Sequence, residues 1–369
     1  MTSLPTECPM IPRTEIDRDK LKAYVKRVGT SIAAGYNCAI SSLGDRLGLY
    51  HALRELRTAS SEELAHHTGL NERWIREWLR HQACVEQIEY DAATDRFWLS
   101  PEAVAVLLDD SMPTYLAGGF DGVVATMPSL PGLVESFRTG VGRSYDDHGA
   151  GCACGIERLS SHGKKFQLVP NVLPLLDGVV ARLESGIRVA DVGCGGALAT
   201  IAMAKAFPRS TFVGYDNSAH ALERARANAR SSEVRNVEFV DPDVSPLPDR
   251  PSFDLITTFD VIHDVPYPQR LIEAIGHALQ PDGVWLCEDI KSLPSFDENL
   301  RENKYAAMLY GFSIMVCMAS GLSKADGAGL GTLGFNEPIA REMTRAAGFT
   351  RFRRLDYDNP FNSYYEIRR

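Results

Sequence analysis

The sequence predicts a two-domain α/β protein: a doubly wound, mainly parallel sheet in the C-terminal half, preceded by a smaller, mostly helical domain. Three observations carry this. The stretch V-A-D-V-G-C-G-G-A-L-A-T (189–200) runs an apolar strand through Asp191 into a glycine turn and a helix-prone segment, the way a doubly wound fold opens its first ligand loop. From Thr211 to Cys287 strand-like and helix-like runs alternate, with an acidic residue after each strand. Residues 60–99 read as helix, turn, helix and hairpin, the pattern of a winged helix.

At 369 residues the chain is long enough for two cores. A net charge of −9 weighs against polyanionic partners. No apolar run approaches the roughly 20 residues of a membrane span. The start, M-T-S-L-P-T-E-C-P-M, lacks a basic segment leading into an apolar core. The eight cysteines are scattered, so reduced thiols in a cytoplasmic enzyme are expected.

Residues 1 to about 18 carry three prolines and are expected to form a loose arm. A helical pattern follows to about Leu56, with Leu43, Leu47, Leu49 and Leu53 as its apolar stripe and Gly35-Tyr36-Asn37 as an interruption. Ser60 and Glu63 form a capping box. Asn71 caps a second helix, with Trp74, Ile75, Trp78 and Leu79 on its buried side. Strands at 88–90 and 97–99 complete the winged helix. DNA binding needs positive charge there, but residues 60–99 hold eight acidic and four basic residues, a net −4. The domain is expected to span residues 1–110, to bind no nucleic acid and to mediate a homodimer. Residues 111–165, rich in Gly and Pro, are expected to be a linker and substrate-side region. His148, Cys152, Cys154 and His162 allow either a metal site or a substrate-side loop with two incidental thiols. Zinc sites prefer paired C-x₂₋₄-C units and only one C-x-C is present, so no metal is expected.

The glycine loop discriminates between ligands. A dinucleotide loop wants G-x-G-x-x-G, and its third glycine would fall at Leu198. Asp191, Gly193 and Gly195, with Cys194 between them, resemble motif I of the class I S-adenosylmethionine-dependent methyltransferases. The third glycine of that motif is Ala197 here. The winged-helix run G-L-Y-H-A-L and T-G-L-N-E-R-W-I-R-E-W-L-R resembles that of the plant and actinobacterial two-domain small-molecule methyltransferases.

That resemblance implies a seven-stranded Rossmann-like sheet over residues 166–369, closed by an antiparallel pair at 349–355 and 362–367. It implies S-adenosyl-L-methionine as cofactor. Asp216, roughly 20 residues beyond Gly195, takes the position that grips the ribose hydroxyls, and Asn217 follows it. Asp243 takes the position that accepts from the adenine amine, with the Val244 N–H facing a ring nitrogen. Phe259 and Asp260, ending the fourth strand, line the cofactor's amino-acid end. His263 stands where related O-methyltransferases carry a catalytic histidine; it is either that base or a structural residue. Residues 290–333 are long enough for part of a lid. The expected reaction is methyl transfer to a small-molecule oxygen. Transfer to carbon or nitrogen, other chemistry on the same fold, and a winged-helix regulator remain alternatives.

Overall fold

The computed structural model describes residues 16–369, so most of the arm expected over residues 1–18 lies outside the described residues. The chain forms two compact units, divided between Ser100 and Pro101.

The first unit opens with α1 (Arg18–Arg46), whose N-terminus is capped by the Asp17 carboxylate. It runs unbroken through Gly35-Tyr36-Asn37, correcting the expected interruption: one glycine costs a helix only about 1 kcal/mol. The chain turns instead at Gly48, in the left-handed region at φ 69°, before α2 (Leu49–Leu56). Leu49 and Leu53 are buried, whereas Leu43 and Leu47 face outward. The Ser60/Glu63 capping box starts α3 (Ser61–Thr68), and Asn71 caps α4 (Glu72–Cys84). The buried face of α4 is Ile75, Trp78, Leu79 and Gln82. Trp74 falls one step off that 3–4–7 spacing and is 80% exposed, contrary to expectation. The Trp78 ring packs so closely on α1 that a Cβ at Gly44 would lie 2.5 Å from it. The wing is β1 (Glu89–Asp91) paired with β2 (Arg96–Trp98).

The second unit begins with α5 (Pro101–Leu107). Residues 111–165 are not loop but largely helix: α6 (Ala117–Thr126), α7 (Leu130–Thr139) and α8 (Gly149–His162). Their glycines serve close packing. A Cβ at Gly155 of α8 would lie 2.5 Å from the Gly122 nitrogen of α6. A π-helical stretch (Gly163–Val172) and α9 (Val179–Ser185), which starts after the left-handed Gly178, lead into the sheet.

The sheet has seven strands in the order β5-β4-β3-β6-β7-β9-β8. These are β3 (Arg188–Val192), β4 (Thr211–Tyr215), β5 (Val237–Val240), β6 (Phe253–Phe259), β7 (Leu279–Ile290), β8 (Arg351–Arg354) and β9 (Asn362–Arg368). The first five in that order are mutually parallel, and β9 inserts antiparallel between β7 and β8. Helices α10 (Leu198–Ala206), α11 (Ala219–Ser231) and α12 (Pro268–Ala278) are the crossovers. The insertion after β7 holds α13 (Phe296–Glu302), α14 (Ala306–Phe312) and α15 (Met318–Gly321), and α16 (Glu337–Ala346) precedes the final strands. Alternate strand residues feed opposite cores. Ala190, Val192, Ile256 and Trp285 join Ile272, Ile275 and Ala340 on one face; Val189, Leu255, Val284 and Leu286 join Leu183 and Met203 on the other. No single described helix is long and apolar enough to cross a membrane.

Trp285 is fully buried, packs on Phe349 with ring centroids 5.6 Å apart, and donates to Thr258 Oγ1 at 3.0 Å. Trp285→Ala should cost about 3–5 kcal/mol, read as a shifted urea midpoint by circular dichroism. A loss below about 1 kcal/mol would contradict this packing.

Candidate active site

Because β5, β4, β3, β6 and β7 run parallel, their C-terminal ends share one edge, and the chain places carboxylates along it. At the end of β3, Asp191 is 1% exposed. Thr200 Oγ1 of α10 donates to one of its oxygens and Thr257 Oγ1 of β6 to the other, the latter at 2.9 Å. Burial pushes its carboxyl up to about 6, against the pull of those two donors. Asp191 thus clamps the start of the glycine loop from both sides.

The loop turns through left-handed Gly193 (φ 72°), Gly195 (φ 54°) and Ala197 (φ 61°). A Cβ at Gly193 would lie 2.4 Å from Val261. Ala197 adopts the glycine conformation despite its side chain, whose Cβ packs in a small apolar cluster with Ile201 and Ala225. The N–H groups of Gly193 and Cys194 donate to the Tyr215 carbonyl at 2.7 and 3.0 Å, tying the loop to β4. Burial holds the Cys194 thiol far above its ordinary value.

Asp216, at the end of β4, accepts from the Gly195 N–H at 2.8 Å and the Ser218 N–H at 2.9 Å. Burial pushes its carboxyl up. Asn217 beside it is exposed. After β5 the chain turns through Asp241, which accepts from the Asp243 N–H at 2.9 Å. Asp243 and Val244 are exposed there. The Val244 N–H, expected to face an adenine nitrogen, donates instead to the Asp241 carbonyl at 3.1 Å, closing the turn.

Beyond β6, Asp260 sits at φ 60° and accepts from Asn362 Nδ2 of β9 at 2.5 Å. Burial, then the neighbouring Glu288 carboxylate, pushes its carboxyl up to about 7 against the pull of Lys164. Lys164, on the π-helical stretch, is 7% exposed; it pairs with Glu288 at the end of β7 and lies 4.1 Å from the Phe259 ring centroid. His263 is 2% exposed, and its Nδ1 meets Asp289 Oδ1 at 2.6 Å. Burial opposes charge on this imidazole, but the Asp289 carboxylate prevails and holds its pKa well above the ordinary value. Its adjacent Asp264 is 4.0 Å from Nε2, so Asp289 is the orienting acid.

The edge therefore brings together Asp191, Gly193, Cys194, Gly195, Asp216, Phe259, Asp260 and His263, with Asp243 and Val244 farther out on the β5 side. Sequence reasoning left Lys164, Glu288, Asp289, Thr200 and Thr257 without roles. Asp289 carried the same signal as Asp191 and Asp216, an acid ending a strand. No spacing marks Lys164. Asp146 was also missed: it accepts from Ser218 Oγ and from the Ala219 N–H at 3.1 Å, capping α11 beside Asp216. Nor do His148, Cys152, Cys154 and His162 form one donor cluster among the described residues.

Residues 183–334 match the family model of a methyltransferase domain, and residues 36–108 that of an Rv2258c-like winged HTH domain. A ubiquinone biosynthesis O-methyltransferase of Neisseria meningitidis serogroup C is 31% identical over 135 residues, 35% of this chain and 56% of the relative. One from Pectobacterium atrosepticum is 31% identical over 124 residues, 32% and 50% respectively. The chain thus spans about half the length of the curated relatives it matches. Among solved structures, a putative O-methyltransferase from Nostoc punctiforme aligns with TM-score 0.69 at 16% identity, covering 96% of this chain and 99% of that one. Human N-acetylserotonin methyltransferase, solved with S-adenosylmethionine, aligns with TM-score 0.67 at 15% identity, covering 96% and 99%.

The raised carboxyl of Asp191 has a consequence for stability. Its value in the fold lies above its ordinary one, about 6 against 3.8. Between roughly pH 4 and 6 the folded chain therefore keeps a proton that the unfolded chain has lost, and stability falls as pH rises through that window. Two units correspond to about 3 kcal/mol at most. Asp191→Asn should remove that share of the fall, seen by comparing urea midpoints of both proteins from pH 4 to 8. Parallel curves would contradict the assignment.

Proposed function

The chain carries a methyltransferase domain behind a winged-helix domain, and we propose that it transfers a methyl group from S-adenosylmethionine to a hydroxyl of a small molecule. The observation that carries the choice of oxygen is the buried His263–Asp289 pair beside the glycine loop. The sulfonium donor is already activated, so the protein's task is to hold the acceptor in line with it and exclude water. A hydroxyl acceptor adds one requirement, removal of its proton. Asp289 fixes Nδ1 and so leaves Nε2 as the nitrogen available to the acceptor.

The cofactor assignments follow the strand ends. Asp216 takes the ribose hydroxyls, since each carboxylate oxygen keeps a lone pair beyond its one backbone donor. Gly193, Cys194 and Gly195 lie under the nucleoside, with Asp191 holding their loop in shape. Asn217 and Asp243 border the adenosine, and Val244 takes part through its side chain only. Phe259 and Asp260 line the amino-acid end, where the cofactor carries an ammonium group. The small-molecule acceptor is supported by the acidic winged helix, which offers little to phosphates. Its seven described cysteines are all free, which supports a cytoplasmic location.

The first unit supports a homodimer. Along α1, Leu21, Tyr24, Val25, Val28, Ile32 and Tyr36 are all exposed and repeat at 3–4 residue intervals, so they line one face of a 29-residue helix. A second copy of this helix is the occupant proposed for that face. Light scattering should give twice the 40.6 kDa chain mass, and a Val28→Asp/Ile32→Asp variant should run as a monomer. A wild-type monomer at micromolar concentration would refute the dimer.

For the reaction, release of S-adenosylhomocysteine across a panel of phenols, alcohols, acids and amines identifies the acceptor class. With a hydroxyl acceptor, His263→Ala should lower turnover by on the order of 10²–10⁴-fold. The base must be neutral, and Asp289 raises its pKa, so activity should climb with pH along a limb above about 6.5. Asp289→Asn should move that limb to lower pH while reducing turnover. An unshifted limb would reduce the pair to a structural contact, and methylation of amines alone would overturn the oxygen assignment.

A further inference from the structure

We infer that His263, Asp264 and Cys317 form a binding site for a divalent transition metal of zinc's class. The site exists whether or not an acceptor is methylated, and its occupancy removes His263 Nε2 from proton transfer. The donor atoms, an imidazole nitrogen, a carboxylate oxygen and a thiol sulfur, all lie within 4.8 Å of one another. A tetrahedral ion with bonds of about 2.0–2.3 Å spaces its ligand atoms roughly 3.3–3.8 Å apart. Drawing in by about 1 Å therefore completes the shell, a movement within reach of side-chain rotation alone.

Two further features point to a ligand. The first is the Asp289 carboxylate on His263 Nδ1 at 2.6 Å. It turns Nε2 toward Asp264 and Cys317, the carboxylate–histidine arrangement that orients metal-bound imidazoles. The second is Asp264 Oδ1, a buried acceptor with no hydrogen-bond partner, an unfavourable state that a cation would relieve. The Asp264 side chain is 19% exposed against 3% for His263, so the ion's way in is along Asp264.

The donor set selects the metal. Thiolate with imidazole suits zinc and cobalt and disfavours magnesium and calcium, which prefer all-oxygen shells. Three protein donors leave a fourth position open to water. On binding, the Cys317 thiol proton and any proton on Nε2 are released to solvent, leaving the thiolate and the neutral imidazole as ligands. His263 and Asp264 follow β6, whereas Cys317 ends the π-helical stretch Ser313–Cys317 between α14 and α15. The ion thus pins the insertion after β7 to the catalytic sheet edge.

Cobalt(II) is the probe, because its spectrum reports ligands independently of methyl transfer. Chelator-treated full-length protein titrated with cobalt should develop a saturable thiolate-to-cobalt charge-transfer band with tetrahedral visible bands, at one ion per chain. Equimolar zinc should abolish both. Cys317→Ser, checked for fold by circular dichroism, should lose the charge-transfer band, and Asp289→Asn should weaken affinity by about 10–100-fold. Asp264→Asn provides a second route should Cys317→Ser fail to fold, and should weaken binding about 10-fold or more. No saturable band, a band that survives in Cys317→Ser, or unchanged affinity in Asp264→Asn would each overturn the site.

Discussion

Five parallel strands ending at one edge are the constraint from which the rest of this site follows. The registers of β5, β4, β3, β6 and β7 leave their carboxyl ends side by side. Each end delivers an acid: Asp241, Asp216, Asp191, Asp260, and Glu288 with Asp289. Like charges so close, and mostly buried, resist ionisation. Burial first, and the neighbouring carboxylates after it, hold the carboxyls of Asp191, Asp216 and Asp260 above their ordinary values. The edge remains stable because donors reach each acid: the Asp243 N–H for Asp241, threonine hydroxyls for Asp191, loop N–H groups for Asp216, Asn362 for Asp260, Lys164 for Glu288 and His263 for Asp289. An edge of this kind suits a cationic ligand with hydroxyl and ammonium donors, which is what a sulfonium nucleoside is.

The same partners set the chemistry. A buried ion pair seldom adds net stability, because two desolvation costs stand against one attraction. Lys164–Glu288 and His263–Asp289 are both buried, and both lie on the strand edge proposed to hold the cofactor. Their value is positional. Lys164 offsets the repulsion that Glu288 exerts on Asp260, and Asp289 fixes which nitrogen of His263 is free. The glycine loop is held as firmly, since Gly193, Cys194 and Gly195 each give an N–H to β4 or its terminal acid. The helices of residues 111–165 join close glycine contacts, Gly155 against Gly122, to polar ones from Arg158 to Asp121 and Tyr115.

Local signals were legible in the sequence because local physics writes them. The Ser60/Glu63 capping box and the strands that alternate with helices from Thr211 onward appear where capping and periodicity put them. At Trp74 helical spacing outweighs side-chain size, and at Gly35 the surrounding helix outweighs one glycine. The glycines of 111–165 look like loop residues until α6 and α8 are seen touching through Gly122 and Gly155. Lys164 was out of reach for another reason. Its partner Glu288 lies 124 residues away, and no local pattern encodes which lysine will be buried. His263 was legible as a candidate, yet the obvious neighbour, Asp264, is not the one that orients it.

The most direct test of the account is calorimetric titration with S-adenosylhomocysteine, which needs no knowledge of the acceptor. Wild-type protein should bind one equivalent per chain. Asp216→Ala removes the charged acceptor proposed for the ribose hydroxyls, an interaction of about 1.5–3 kcal/mol, so affinity should fall roughly 10- to 150-fold. Absence of binding by the wild type, or equal affinity in the Asp216→Ala variant, would contradict the claim that this strand edge holds the sulfonium cofactor.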